Sequence, residues 1–254
     1  MDYEVSRKVW DSQIPVQFTL QAGGPLGDPL PYYTMLPRFT YLALTLPKAL
    51  SSFNRRENSG ETVTADKVWL EVNGSPVKMY IPVGVIYDQL NYQEPDAIME
   101  IHVRTSLPAP PEFQMVTVDM MQAMFCQTVK EADYLKTKAE PGKDFLHVPL
   151  RVYVKNQPFK QALITIKHPD GSLRTIGDAV AEILQISPPQ SSEASTPTSS
   201  ESSATSSSSS TENRLITHGI DIPAHTPLIF AAKNMSYPDN FVHIVIASPV
   251  SKNN

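Results

Sequence analysis

The sequence predicts an α+β protein that contains one small fold twice, the two copies joined by a helical segment. Three observations point there. A short apolar helix followed by an alternating strand recurs in both halves of the chain. Each of those units is preceded by a similar series of strands and one longer helix. A Ser-rich stretch, 187–213, interrupts the second copy without ending it. Of its 27 residues 17 are Ser or Thr, and apolar patterning resumes afterwards in LITHGIDI and FVHIVIA. A segment so poor in apolar side chains cannot offset the entropy of ordering it, so it is expected to be a disordered loop.

In the first half, Ile14–Leu20 and Tyr32–Leu36 read as strands and Tyr41–Phe53 holds a helix. A hairpin follows, Val68–Val72 against Val77–Ile81. It turns at Asn73-Gly74, which supplies the positive φ angles of a tight turn. Pro82 opens a short helix ending near Leu90, since a proline at a helix start wastes no amide hydrogen. Met99–Arg104 is the closing strand. In the second half, Val148–Val154 and Ala162–Lys167 are the strands, with a turn at Asp170-Gly171. Thr175 and Asp178 form an approximate capping box for a helix to about Leu184. Pro227 opens the second short helix, and Phe241–Ile246 closes the unit. This order of elements is that of a ubiquitin-like β-grasp fold. The expected division is an N-terminal segment (1–9), fold A (10–106), a helical linker (107–144) and fold B (145–254).

Composition narrows the function. A net charge of −5 over 254 residues, with no basic stripe, argues against nucleic-acid binding, which needs clustered positive charge. Lys130, Lys136 and Lys138 are interleaved with Glu131, Asp133 and Glu140. The single cysteine, Cys126, suits a reducing compartment. MDYEVSRKVW lacks the apolar core of a signal peptide. The longest apolar stretch, Phe39–Leu50, contains Pro47 and is too short to span a bilayer. A cytoplasmic protein is therefore expected, and the sequon Asn234-Met-Ser236 is taken as fortuitous.

Few residues suggest chemistry. On a helix from Asp119 to Lys138, Met121, Phe125, Ala132 and Leu135 share one face, and Lys130 lies about 180° from Met121. Lys130 is thus expected to be exposed. Nothing near it in sequence would lower its ordinary pKa of about 10.4, so it has no built-in activation. Cys126 is the rival, as a thioester-forming nucleophile, but it has no nearby histidine to serve as a base. A small half-buried side chain is the simpler account. The six histidines show no metal-ligand spacing, and His102 and His243, in the two closing strands, are expected to share a structural role. Gly23-Gly24-Pro25-Leu26-Gly27 is not followed by a phosphate-loop Lys. No cofactor and no metal are implied. Trp69, in an alternating strand, is expected in the core, whereas Trp10 is more open to a partner. A transferable modifier would end in glycine; this chain ends Pro-Val-Ser-Lys-Asn-Asn.

Several stretches resemble the autophagy protein 5 family. They are PYYTMLPRFTYLAL (31–44), KMYIPVGVIYDQL (78–90), VKEADYLKTK (129–138), GSLRTIGDAVAEIL (171–184), THGIDI (217–222) and TPLIFAAKNMSYPDNFVHI (226–244). The resemblance implies a non-catalytic scaffold of autophagosome formation with two ubiquitin-like folds. It implies conjugation to the ubiquitin-like autophagy protein 12 through the lysine matching Lys130 in Val129-Lys130-Glu131-Ala132-Asp133. It further implies binding of the coiled-coil autophagy protein 16 and promotion of autophagy protein 8 lipidation through that protein's conjugating enzyme. Peripheral recruitment to the pre-autophagosomal membrane goes with this. The chain departs from the family in one respect. Only AEPGKDF (139–145) separates the KEAD helix from fold B, where relatives carry a helix-rich domain that helps wall the groove for autophagy protein 16. The shortened form is expected to bind that partner less well.

Overall fold

A computed structural model describes residues 2–21, 30–56, 62–91, 97–105, 146–185 and 213–247. The first fold holds β1 (Gln13–Gln21), β2 (Tyr32–Pro37), α2 (Leu42–Arg56), β3 (Trp69–Val72), β4 (Ser75–Pro76), α3 (Val83–Asn91) and β5 (Met99–Arg104). Helix α1 (Tyr3–Asp11) precedes it. The second fold holds β6 (His147–Val154), β7 (Lys160–Thr165), α4 (Ile176–Leu184), β8 (Arg214–Thr217), β9 (Ile220–Asp221), α5 (Leu228–Asn234) and β10 (Val242–Ala247). The predicted helical linker lies outside the described residues, as does the Ser-rich loop apart from Asn213.

The two sheets have one topology. The first runs β2-β1-β5-β3-β4 and the second β7-β6-β10-β8-β9. In each, the opening and closing strands lie side by side and parallel, β1 with β5 and β6 with β10. The remaining pairs are antiparallel. These are the two ubiquitin-like folds that the element order predicts.

Proline placement shows how the sequence sets the ladders. The Arg38 amide donates to the Ser12 carbonyl at 3.1 Å, continuing the register Gln13↔Pro37, Ile14↔Leu36, Pro15↔Met35. Directly opposed antiparallel residues alternate between hydrogen-bonded and non-hydrogen-bonded pairs. Pro15 and Pro37 therefore fall at positions where no amide hydrogen is wanted by the neighbour. The second fold repeats the device. The Ile166 amide donates to Leu146, which puts Pro149, opposite Leu163, at a non-hydrogen-bonded position.

One expected element differs. The first hairpin turns at Asn73 (φ 49°) and Gly74 (φ 76°) as predicted, but its second arm is only Ser75–Pro76, not Val77–Ile81. The chain turns at once toward α3, because Val77 and Met79 are buried in the core of the first fold. The capping box of α4 is present in full: the Asp178 amide donates to Thr175 Oγ1, and the Thr175 amide to Asp178.

Ile14, Val16, Phe18 and Leu20 of β1 face Leu42, Leu46, Leu50 and Phe53 of α2 in the first core. Pro47 sits inside α2 on its exposed side. An interior proline costs roughly 3 kcal/mol. Burial of each large apolar side chain contributes about 1.5–3 kcal/mol, so the packed face carries the helix past it. The second core does not stop at its own fold. Val9 of α1, Phe39 and Val85 belong to it, with Trp10 packed against its margin.

Candidate functional site

Lys130 and Cys126 both lie outside the described residues, and so does the helix predicted around them. What the described residues assemble instead is a junction between the two folds. Its first member, Arg38, follows β2; its second, Asp88, lies in α3, a helix that packs on β2 and also on β8 and β10 of the other fold. A charge in such a helix must be paired to be buried. Asp88 accepts from Arg38 Nη1 at 2.7 Å and from the Gly219 amide of the second fold at 3.0 Å. Burial pushes its carboxyl above the usual range, while the guanidinium and the amide pull it down.

Two glycines make room for this pair. Gly219 has φ +77°, and a Cβ there would stand 2.4 Å from Arg38 Nη2. A Cβ on Gly84 would stand 2.9 Å from Arg38 Cβ and 3.0 Å from the Tyr237 hydroxyl. Around them aromatic rings seal the junction. His218 stacks on Tyr237 at 4.2 Å and donates from Nε2 to the Met235 carbonyl at 2.7 Å. Phe39 presents its edge or face to both rings, and Trp10 packs on Phe39 at 5.3 Å. Trp10 is thus engaged within the chain, not left open as its sequence position suggests, while Trp69 is buried as expected.

A second polar cluster adjoins the first. His243 Nε2 donates to Asp239 at 3.1 Å, and Nδ1 accepts from the Tyr153 hydroxyl at 2.9 Å. Arg151 donates to Asp239 at 3.1 Å and lies 3.9 Å over the Phe241 ring. Burial lowers the His243 pKa against the pull of Asp239 and keeps the ring neutral. Burial would raise Asp239, but the His243 hydrogen bond, the Phe241 amide and Arg151 outweigh it and hold the carboxyl low. Burial also raises the Tyr41 and Tyr153 hydroxyls. An Asp–His–Tyr relay could move a proton in an open cleft. Here the His243 side chain is 0% exposed, so no substrate reaches it, and the relay ties the 236–241 turn to β6. His102, by contrast, is half-exposed beside Gln21, so the two histidines do not share the role their strand positions suggest.

The junction residues were not singled out by sequence. Their signal was there: Asp88 interrupts the apolar run VGVIY, and Arg38 stands between Pro37 and Phe39. Four of the six stretches that carry the family resemblance meet here. They bring Arg38; Gly84, Tyr87 and Asp88; His218 and Gly219; and Tyr237, Asp239 and His243.

Comparison with known proteins addresses the same stretches. Residues 9–105 match the family model described as Autophagy protein ATG5, UblA domain, and residues 147–246 match Autophagy protein ATG5, UblB domain. The chain belongs to the autophagy protein 5 family. An autophagy-related protein 5 from Caenorhabditis elegans is 58% identical over 285 residues, covering 97% of this chain and 98% of that protein. Autophagy protein 5 of Drosophila melanogaster is 26% identical, with 96% and 97% covered. The crystal structure of Kluyveromyces marxianus Atg5 superimposes with a TM-score of 0.67 at 15% identity, covering 95% of this chain and 99% of that one, which establishes the shared fold. Membership of the autophagy protein 5 family gives the chain a role in autophagy. Among its described residues there is no group of His, Cys, Asp or Glu arranged to hold a metal, and no helix long and apolar enough to cross a membrane.

Proposed function

We propose that this chain is a non-catalytic scaffold of autophagosome formation, conjugated through Lys130 to autophagy protein 12, whose conjugate promotes transfer of autophagy protein 8 to lipid. The observation that supports it most is the match of both ubiquitin-like folds to the family's two domain models. The junction adds to it. A scaffold must hold its two modules in a fixed relation, and the Arg38–Asp88–Gly219 contacts do so without offering a reactive group to solvent. In this reading the protein works in the cytoplasm, is recruited peripherally to the forming membrane, and meets the conjugating enzyme of autophagy protein 8 through its attached modifier. Reconstitution with the activating and conjugating enzymes tests the acceptor. Lys130→Arg should abolish the conjugate and Cys126→Ala should not; a conjugate that persists on Lys130→Arg refutes the assignment. An adduct that requires Cys126 would instead favour the thioester enzyme.

A second reading concerns autophagy protein 16. The alignment with the Caenorhabditis elegans relative extends over 285 positions while this chain has 254 residues, so the relative carries stretches without a counterpart here. This supports a shortened scaffold that binds autophagy protein 16 weakly. Titration calorimetry against the relative as reference decides it: equal affinity would remove this reading.

A further inference from the structure

The outer edge of β2 is unlike the matching edge of the second fold. Both strands end their sheets, and among the described residues neither has a neighbour beyond it. Sheet edges in natural proteins are guarded by charge, because unpaired amides and carbonyls invite another strand. β7 carries a charge within the strand, at its first residue Lys160. β2 reads YYTMLP and carries no charge. Tyr33 is 61% exposed and Met35 53%.

The register decides what this edge can accept. Because Ser12↔Arg38, Ile14↔Leu36 and Val16↔Thr34 are the hydrogen-bonded pairs, the backbone groups of Tyr33 and Met35 turn away from β1, toward the free edge. Pro31 and Pro37 bound this stretch on both sides and offer no amide hydrogen. We propose that β2 pairs antiparallel with β2 of a second copy of this chain, about a twofold axis beside Thr34.

In that register Tyr33 opposes Met35 of the other copy and Met35 opposes its Tyr33, so every outward amide and carbonyl of these two residues finds a partner. Pro31 opposes Pro37, both without a donor, so the ladder stops where donors run out. The same placement sets each Tyr33 ring beside a methionine sulfur, a favourable contact. The edge is thus complementary to itself, as an interface between identical copies on a twofold axis must be. Among the described residues, the Met35 carbonyl accepts a long 3.5 Å contact from Thr34 Oγ1, which the ladder replaces. Two short strands cover less than the roughly 1,200 Å² of a stable interface, so the association is weak, with a Kd of about 100 µM or above.

The full chain is tested by sedimentation equilibrium over a concentration series, with two edge variants. Met35→Pro removes one outward amide at a non-hydrogen-bonded position of the kind Pro15 and Pro149 already occupy, and Met35→Lys supplies the missing charge if the proline variant does not fold. Either should weaken association by about tenfold or more. In a Cys126→Ser background, Thr34→Cys should form a disulfide-linked dimer on mild oxidation by diamide, since Thr34 faces its own copy. Tyr32→Cys, which faces Leu36 of the other copy, should not. A chain that stays monomeric at millimolar concentration with no Thr34→Cys cross-link overturns the proposal. So does association that survives both Met35 variants, which would place the contact elsewhere. Amide shifts at Tyr33 and Met35 on adding an unrelated extended peptide, with no self-association, would assign the edge to peptides and equally overturn it.

Discussion

Replacing Gly219 by alanine separates two costs that usually arrive together. The first is conformational: an L-residue in the left-handed region loses about 1–2 kcal/mol relative to glycine. The second is specific to this junction. The new Cβ would overlap Arg38 Nη2 and lie 2.9 Å from Arg38 Cζ, so the guanidinium must shift, and in this buried space the shift acts against its bond to Asp88. Arg38 and Asp88 side chains are only 9% and 3% exposed, and breaking a buried pair so that one charge is stranded costs about 3–5 kcal/mol. Gly74 provides the internal control. Its φ of +76° is nearly the same, but a Cβ there meets nothing within 4 Å. Gly74→Ala should therefore cost about 1–2 kcal/mol, and Gly219→Ala about 4–7 kcal/mol by adding the pair. Guanidinium chloride unfolding, followed by Trp fluorescence and far-UV circular dichroism so that separate transitions of the two folds are seen, measures both. Equal losses for the two variants, within about 0.5 kcal/mol, would show that Arg38 yields freely and that the pair does not hold the folds together.

Other expectations follow from the same geometry. Asn234 Oδ1 accepts from the Asp2 amide at 2.7 Å and from the Ser6 hydroxyl at 3.4 Å. Asn234→Ala should release α1 at a loss of about 1–3 kcal/mol, read as faster hydrogen exchange across residues 3–11 while the sheets stay protected. Thr175→Ala removes the cap of α4 and should cost about 1 kcal/mol, seen in the thermal midpoint. Acid should weaken the fold in two stages. The His243 pKa is depressed by burial, so the unfolded chain takes up that proton first and stability falls as pH drops below about 6.5. The Asp239 carboxyl is also depressed, so its contribution is present above about 3.9 and is lost as pH falls through its folded value. His243→Gln should remove the first stage from a plot of unfolding free energy against pH and reduce the second, because His243 is part of what holds Asp239 low.

Much of the fold was legible because period-two patterning and punctuation act locally. Pro82, Pro227, Asn73-Gly74 and the Thr175–Asp178 box each did in the structure what local chemistry required. The short arm Ser75–Pro76 was not legible, since alternation in VKMYI mimics a strand while Val77 and Met79 are drawn into the core. The junction was harder still. Arg38, Asp88 and Gly219 are far apart in sequence, and nothing local says that a carboxylate in one fold waits for an amide in the other. The place of Trp10 is hidden in the sequence for the same reason: its partner Phe39 belongs to a core completed by the other half of the chain.

The place of α1 has a consequence for biosynthesis. Helix α1 rests on α5, and the Asp2 amide donates to Asn234, 232 positions later in the chain. Until α5 and β10 have been made, Val9, Phe39 and Val85 have no core to enter. The first fold must therefore wait with an apolar flank uncovered, in need of a chaperone or of speed. A chain cut short before α5 would keep that flank open.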